Sequence, residues 1–356
     1  MPGVINNGSY ENVTRAELDD SSIKLWASYI KSISYTDLDK VIIPIIMPIV
    51  VSIGVIGNIM TIIVIASKKC MHTPVNVYFA NLAIADTLLL ITAPDLIWNS
   101  YLKSPLRDVT DNGEMMNWVC PLNKFLYFTV EQVAFFTIFW LSVERYMAIC
   151  RPLKFRRSGF GNCLKSLKIC GIIWFLCLSW SAPLLVLFRK KTKEVSWPLF
   201  AVDILPNFVT ICTSRSEYIV ILWYVNRAII VLMIVIIVAL YTAMLMSVRK
   251  SRSIAGSSAG TNPISKSELK VFLTVFVTIT VYVGCLAPFQ IYVVLLDHKI
   301  TVNNSLINLF FLMVQINSSV NPVIYNAMNY RFRRAFYDVY CNRCNRKKNI
   351  PINVQI

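Results

Sequence analysis

Seven long apolar runs, separated by short polar stretches, set the pattern of this 356-residue chain. They cover roughly Val41–Ser67, Pro74–Tyr101, Trp118–Cys150, Lys165–Phe188, Glu217–Val248, Leu269–Leu296 and Asn303–Met328. A helix needs about 20 mostly apolar residues to cross the hydrocarbon core of a bilayer, and each run is long enough. Backbone groups in lipid must bond within their own segment. The runs are also too long and too evenly apolar for barrel strands of about 10 alternating residues. The pattern therefore predicts an all-α membrane protein, a seven-transmembrane helix bundle. The second, third and seventh runs carry Asp86, Asp95, Glu131, Gln315 and Asn317. Polar groups at that depth are expensive, which places them toward the bundle interior.

Composition agrees: 56% of residues are hydrophobic, 15% are charged and the mean hydropathy is +0.58. Soluble domains carry about 25% charged residues, so this chain has too little polar surface to cover a globule. The net charge of +16 raises nucleic acid as a partner, but its placement argues otherwise. With the N-terminus outside, 20 Lys and Arg residues fall on the cytoplasmic side, opposed only by Glu144, Glu268 and Asp338. The outer segments are mixed in sign. This satisfies the positive-inside rule with the C-terminus in the cytosol, and the basic face meets anionic lipid. The first forty residues hold no signal peptide, so the first span is expected to carry them across.

The expected organisation is an extracellular tail over 1–40, the membrane domain over 41–328 and a cytoplasmic end over 329–356. The tail contains the glycosylation triplets at Asn7 and Asn12. Of ten cysteines, only Cys120 and Cys212 fall on the outer, oxidising side, which implies one disulfide between the third span and the loop before the fifth. Ser251–Ser265 reads as a flexible loop rich in Ser and Gly.

From Ile42 to Tyr340 the chain resembles a rhodopsin-like (class A) G-protein-coupled receptor. The motifs come in order: Gly57-Asn58, Leu82-Ala83-Ile84-Ala85-Asp86, Glu144-Arg145-Tyr146, Trp174 with Pro183 beyond it, and Tyr241. Then come Cys285-Leu286-Ala287-Pro288-Phe289 and Asn321-Pro322-Val323-Ile324-Tyr325, and Phe332-Arg333-Arg334-Ala335-Phe336 resembles the amphipathic eighth helix. Two departures stand out. Met233 or a neighbour occupies the place of a fifth-span Pro, and Leu286 replaces the sixth-span Trp that such receptors keep beneath the ligand.

The resemblance implies that Arg145, with Glu144 adjacent and Glu268 across on the sixth span, holds the third and sixth helices together until activation. The alternative is an Arg snorkelling to lipid phosphate. It places Asn58, Asn317, Ser318 and Asn321 beside Asp86. In many relatives that cluster binds a sodium ion as an allosteric modulator, although here Ala134 stands where a Ser often helps; an Asp that only packs polar spans is the alternative. Tyr241 and Tyr325 match tyrosines that swing inward, against a plain role as interfacial anchors. Cys341 and Cys344 match palmitoylation positions, against idle thiols. No other cofactor is implied.

The ligand pocket of similar receptors lies in the outer half of the bundle. Tyr127 stands where amine receptors carry Asp, which argues against a monoamine. Tyr127, Phe128 and Glu131 share one helical face, with Gln132 beside them. The other candidates are Asp95; Trp223, Asn226 and Arg227; Phe289, Gln290 and Tyr292; and Gln315. Aromatics with both signs of charge suit a peptide better than a lipid; a mutual Glu131–Arg227 ion pair is the structural alternative. No Lys lies between Asn303 and Met328 to carry retinal. The leading expectation is a plasma-membrane receptor, not an enzyme, that binds a short neuropeptide and activates a heterotrimeric G protein. A chemosensory or constitutively active receptor is the alternative. A transporter or channel fits less well, since neither inverted repeats nor a filter sequence is evident.

Overall fold

The computed structural model describes residues 20–107, 109, 116–158, 161–194, 208–214, 218–255, 266–297 and 305–348. Helix α1 (Asp20–Ile33), not foreseen in the sequence, precedes the bundle. Helix α2 (Asp37–Val41) opens on a capping box: the Thr36 hydroxyl accepts from the Asp39 N–H, and the Asp39 carboxylate accepts from the Thr36 N–H at 2.8 Å. A π-helical turn, Ile42–Ile46, wraps Pro44 and leads into α3 (Met47–Ser67). The first span therefore starts at Asp37 rather than Val41.

Helices α4 (Pro74–Lys103) and α5 (Val119–Cys150) form the second and third spans, and α6 (Pro152–Arg157) follows. The fourth span is not the continuous helix expected over Lys165–Phe188. Helix α7 (Cys163–Ser181) ends at an Ala182–Pro183 turn, and α8 (Leu184–Leu187) resumes beyond it. Pro183 has no N–H to continue the ladder. Strands β1 (Phe188–Glu194) and β2 (Phe208–Ser214) form an antiparallel hairpin. Helices α9 (Tyr218–Ala255), α10 (Lys266–Asp297) and α11 (Ser305–Met328) complete the seven spans. Helix α9 thus runs into the stretch read as a loop from Ser251. Helix α12 (Tyr330–Lys348) starts where the Asn329 side chain accepts the N–H groups of Arg331 and Phe332.

The bundle is inside-out relative to a soluble protein. Ile45, Ile49, Ile53, Ile56 and Ile59 are exposed along the first span, while Asn58 and Thr61 are fully buried. In water such a stripe would be an aggregation surface; in lipid it is matched to its solvent. The second, third and seventh spans are central, burying 61%, 56% and 56% of their apolar windows, against 17% for the fifth. Among the described residues the third and seventh hold the most buried polar groups. Asn81 donates to Thr137 at 2.7 Å and accepts from the Trp174 indole at 2.9 Å, pinning the second, third and fourth spans. Gly54 lets the first and seventh approach: a Cβ there would lie 2.2 Å from Ser319 Oγ. Ser319 Oγ donates to Val50 O and Gln315 O at that crossing, a small-residue helix contact.

One end of the bundle carries the hairpin. Residue Cys212 on β2 is disulfide-bonded to Cys120 at the start of α5, with Cα atoms 5.7 Å apart. A small second core of Leu106, Val109 and Val209 packs with Ile30, Ile33 and Ile211, joining α1 to the hairpin. The opposite end carries α6, α12 and most of the Lys and Arg residues. There Phe332, Ala335 and Val339 are buried and Arg333 and Arg334 exposed, the amphipathic pattern expected.

Candidate functional site

At the disulfide end, a cavity of about 130 Å³ opens between the third to sixth spans. The helical spacing of α5 brings Tyr127, Phe128, Glu131 and Gln132 to its wall; α9 brings Trp223, Asn226 and Arg227; α10 brings Phe289 and Gln290. Nine of the expected ligand residues thus meet in one space. Tyr292 is buried elsewhere, with its ring centroid 5.6 Å from that of Phe310, and Gln315 is buried in α11; neither lines this cavity. Asp95 falls on α4, with its side chain outside the described residues.

The walls are aromatic and carry both charges. Phe128 meets Tyr127 at 5.6 Å, edge to face, and Trp223 at 5.8 Å. The Arg227 guanidinium lies over the Trp223 ring, 6.0 Å from its centroid, a cation–π arrangement. The alternative Glu131–Arg227 ion pair is not formed: among the described residues the ion pairs are Lys40–Asp37, Arg107–Asp39 and Arg145–Glu144.

Deeper in the bundle, Asp86 is buried and accepts a hydrogen bond from Asn321 Nδ2 at 2.8 Å. Ser318 faces the same carboxylate. Asn58 Nδ2 donates to Ser318 O at 2.9 Å, while its Oδ1 has no protein partner. Asn317 is buried in the same helix. Asn58, Asp86, Ser318 and Asn321 are thus linked across the first, second and seventh spans, while Asn317 shares their burial and not those contacts. As an ion site the cluster offers one carboxylate and neutral oxygens from Asn58 and Ser318, which suits a hard cation; Ala134 adds none. Pro322 packs within 3.1 Å of where a Gly57 Cβ would be. Tyr325 stacks on Phe79 at 4.1 Å and meets Phe332 of α12 edge-on at 6.0 Å.

At the basic end, Arg145 Nη2 donates to Glu144 Oε1 at 2.8 Å, and the Glu144 side chain is fully buried. Tyr78 faces Glu144, and Tyr146 packs on the core. Arg145 also lines a cavity of about 460 Å³ with Met71, Phe155, Lys270 and Tyr330. Tyr241 is buried against Phe272 and Phe276, with centroids 5.6 and 5.7 Å away. Glu268 falls on α10, but its side chain lies outside the described residues, as do Asn7, Asn12 and the Cys344 side chain. Cys341 is exposed on α12, a helical position rather than a loose tail.

Comparison with known proteins settles the family. Residues 57–325 match the family described as 7 transmembrane receptor (rhodopsin family). The chain belongs to that family. The receptor is 29% identical to neuromedin-U receptor 2 of Homo sapiens, over 81% of this chain and 68% of that one. It is 28% identical to somatostatin receptor type 5 of Rattus norvegicus, over 89% and 82% of the two chains. It is 25% identical to the tachykinin-like peptides receptor 86C of Drosophila melanogaster, over 86% and 60%. The receptor is accordingly a signalling protein and not an enzyme.

Sequence reasoning missed part of the receptor's cavity. Trp180, Ser181, Leu184 and Leu222 complete its wall. Trp180 and Ser181 end α7 and Leu184 begins α8, on either side of Pro183. Asp39 was also missed. It is fully buried and accepts from Thr36, from Asn308 Nδ2 at 2.8 Å and from Arg107. Its capping-box spacing, Thr36 to Asp39, was the available signal.

Proposed function

We propose that the receptor binds a short extracellular peptide in the cavity at its disulfide end and drives nucleotide exchange on a heterotrimeric G protein at its basic end. The observation that carries this reading is the convergence of Tyr127, Glu131, Trp223, Arg227 and Phe289 on one cavity, whose Phe128 and Trp223 pack with Phe188 and Cys212 of the hairpin. Aromatic walls with both signs of charge recognise a chain of mixed side chains better than an acyl tail. A relative named for tachykinin-like peptides supports the ligand class. The disulfide belongs to an oxidising compartment and the cationic end to the cytosol, so the N-terminus is outside and the membrane is the plasma membrane. Agonist and G protein favour the same arrangement from opposite ends, so each raises the other's affinity. Asp86, Asn58, Ser318, Asn317 and Asn321 act as a polar hinge, and the oxygen donors would hold a sodium ion there.

The test is G-protein activation in cells expressing the wild type or Arg145→Ala, screened with amidated short peptides. A peptide response in the wild type, lost in the variant at equal surface expression, is the expected result. Basal signalling that Arg145→Ala removes, with no peptide response, would replace this reading with a constitutive receptor.

A further inference from the structure

Among the described residues, the acid in the cavity has no counter-charge. Glu131 lines the space between α5, α7, α9 and α10. Between Cys120 and Glu131 the helix rises about 16 Å at 1.5 Å per residue, which puts the carboxylate well inside the hydrocarbon depth. A carboxylate there is costly unless paired. The described ion pairs do not include it. Among the described residues that line the cavity the cation is Arg227, and it lies over the Trp223 ring instead. The pair that would have explained both residues as packing is therefore absent, and the site is half of an ion pair.

We infer that Glu131 is the anchor for a cationic group of the ligand: a Lys or Arg side chain, or a free amine. The inference rests on the peptide-receptor reading of this cavity and names the chemistry that the cavity selects. Volume sets how much of the ligand enters. About 130 Å³ is below the 300–1,000 Å³ of sites that swallow a drug-sized ligand whole. It suits one side chain, with the rest of the ligand lying outside it. The walls fit the same chemistry. Tyr127, Phe128, Trp223 and Phe289 present ring surface to a cation and its alkyl stem. The ligand is thus expected to offer one basic group to the cavity.

Two experiments test this. In the first, purified full-length receptor is heated with N-acetyl-arginine amide or with N-acetyl-citrulline amide, its neutral isostere. The arginine fragment is expected to raise the unfolding midpoint and the citrulline fragment to leave it unchanged. Glu131→Gln abolishes the difference, while Glu131→Asp, which keeps the charge one methylene further back, reduces it. Glu194→Gln, on the exposed face of β1, controls for bulk charge and retains the full effect. Equal stabilisation by the two fragments, or by neither, or an effect that survives Glu131→Gln, overturns the inference. If Glu131→Gln does not fold, the fragment comparison on the wild type and on Glu131→Asp still decides.

The second experiment takes peptides active in the cell screen and replaces each basic residue by citrulline or norleucine. Potency is expected to fall about tenfold to a hundredfold at one position. If none falls, the anchor is wrong and the peptide reading stands. Arginine-fragment binding with no active peptide would have the opposite meaning, leaving the anchor and removing the peptide.

Discussion

Replacing Asp39 by alanine strands a buried cation. In the wild type the Asp39 carboxylate accepts from the Thr36 N–H at 2.8 Å, the Thr36 hydroxyl at 2.7 Å, Asn308 Nδ2 at 2.8 Å and the Arg107 guanidinium. Its side chain is fully buried and that of Arg107 is 10% exposed. The network ties the start of the first span to the segment after α4 and to the seventh span. Breaking a buried pair by removing one partner costs about 3–5 kcal/mol, mostly for the charge left behind. At about 2 °C per kcal/mol for a chain of this size, Asp39→Ala lowers the midpoint by roughly 6–10 °C. The assay is thermal unfolding of purified receptor at one scan rate, since irreversible unfolding makes the midpoint rate-dependent. The diagnostic variant is the double substitution with Arg107→Leu, which removes the stranded charge. It is expected to recover at least half of the loss, a coupling of about 2 kcal/mol. If the two single losses simply add, the carboxylate and guanidinium are not coupled and the reasoning fails.

Other expectations follow from single contacts. Gly54→Ala puts a methyl 2.2 Å from Ser319 Oγ and 2.6 Å from Leu90 Cδ1 and destabilises by about 1–3 kcal/mol; adding Ser319→Gly relieves the first clash and recovers part of the midpoint, and a Gly54→Ala receptor of unchanged stability would contradict the close approach. Glu144→Gln frees Arg145 from its 2.8 Å partner and is expected to raise basal nucleotide exchange several-fold in membranes, with no change counting against the pair as a restraint. Asp86→Asn loses the charge-assisted bond from Asn321, about 1.5–3 kcal/mol. The exchange Asp86→Asn with Asn321→Asp is expected to regain signalling, and a double variant no better than the single would argue against the contact.

The spans were legible because crossing a bilayer is a requirement on composition over about 20 residues, a signal that needs no partner. The cavity residues of the third, fifth and sixth spans were legible for a related reason: helical spacing puts Tyr127, Phe128 and Glu131 on one face whatever they pack against. What escaped depends on contacts between distant segments. The Asp39–Asn308 bond joins residues 269 positions apart. The hairpin escaped because Phe188–Glu194 is a basic stretch without alternating apolar residues, so its pairing with β2 rests on backbone bonds and the disulfide rather than on a buried face. Trp180, Ser181 and Leu184 escaped because the fourth span is apolar on several faces and one serine does not say which face meets the cavity.

The leucine at 286 shifts the question of how the cavity communicates with the hinge. Where similar receptors keep a Trp, this one has a smaller aliphatic side chain, buried in the main core. One turn along α5 from Glu131 lies Phe135, whose ring centroid is 5.8 Å from that of Tyr282 on α10. Both side chains are buried, and Tyr282 lies near enough to Glu131 and to Asp86 to feel both carboxyl groups. Leucine has no ring face to stack or tilt, so its rearrangement changes contact area but no directional interaction. The Phe135–Tyr282 pair has both, and it joins the helix that carries Glu131 to the helix that carries Pro288 and Phe289. A ligand moves an equilibrium only through contacts whose free energy differs between the two arrangements. Of the contacts joining α5 to α10 in this region, the aromatic pair meets that condition more readily than the leucine beside it.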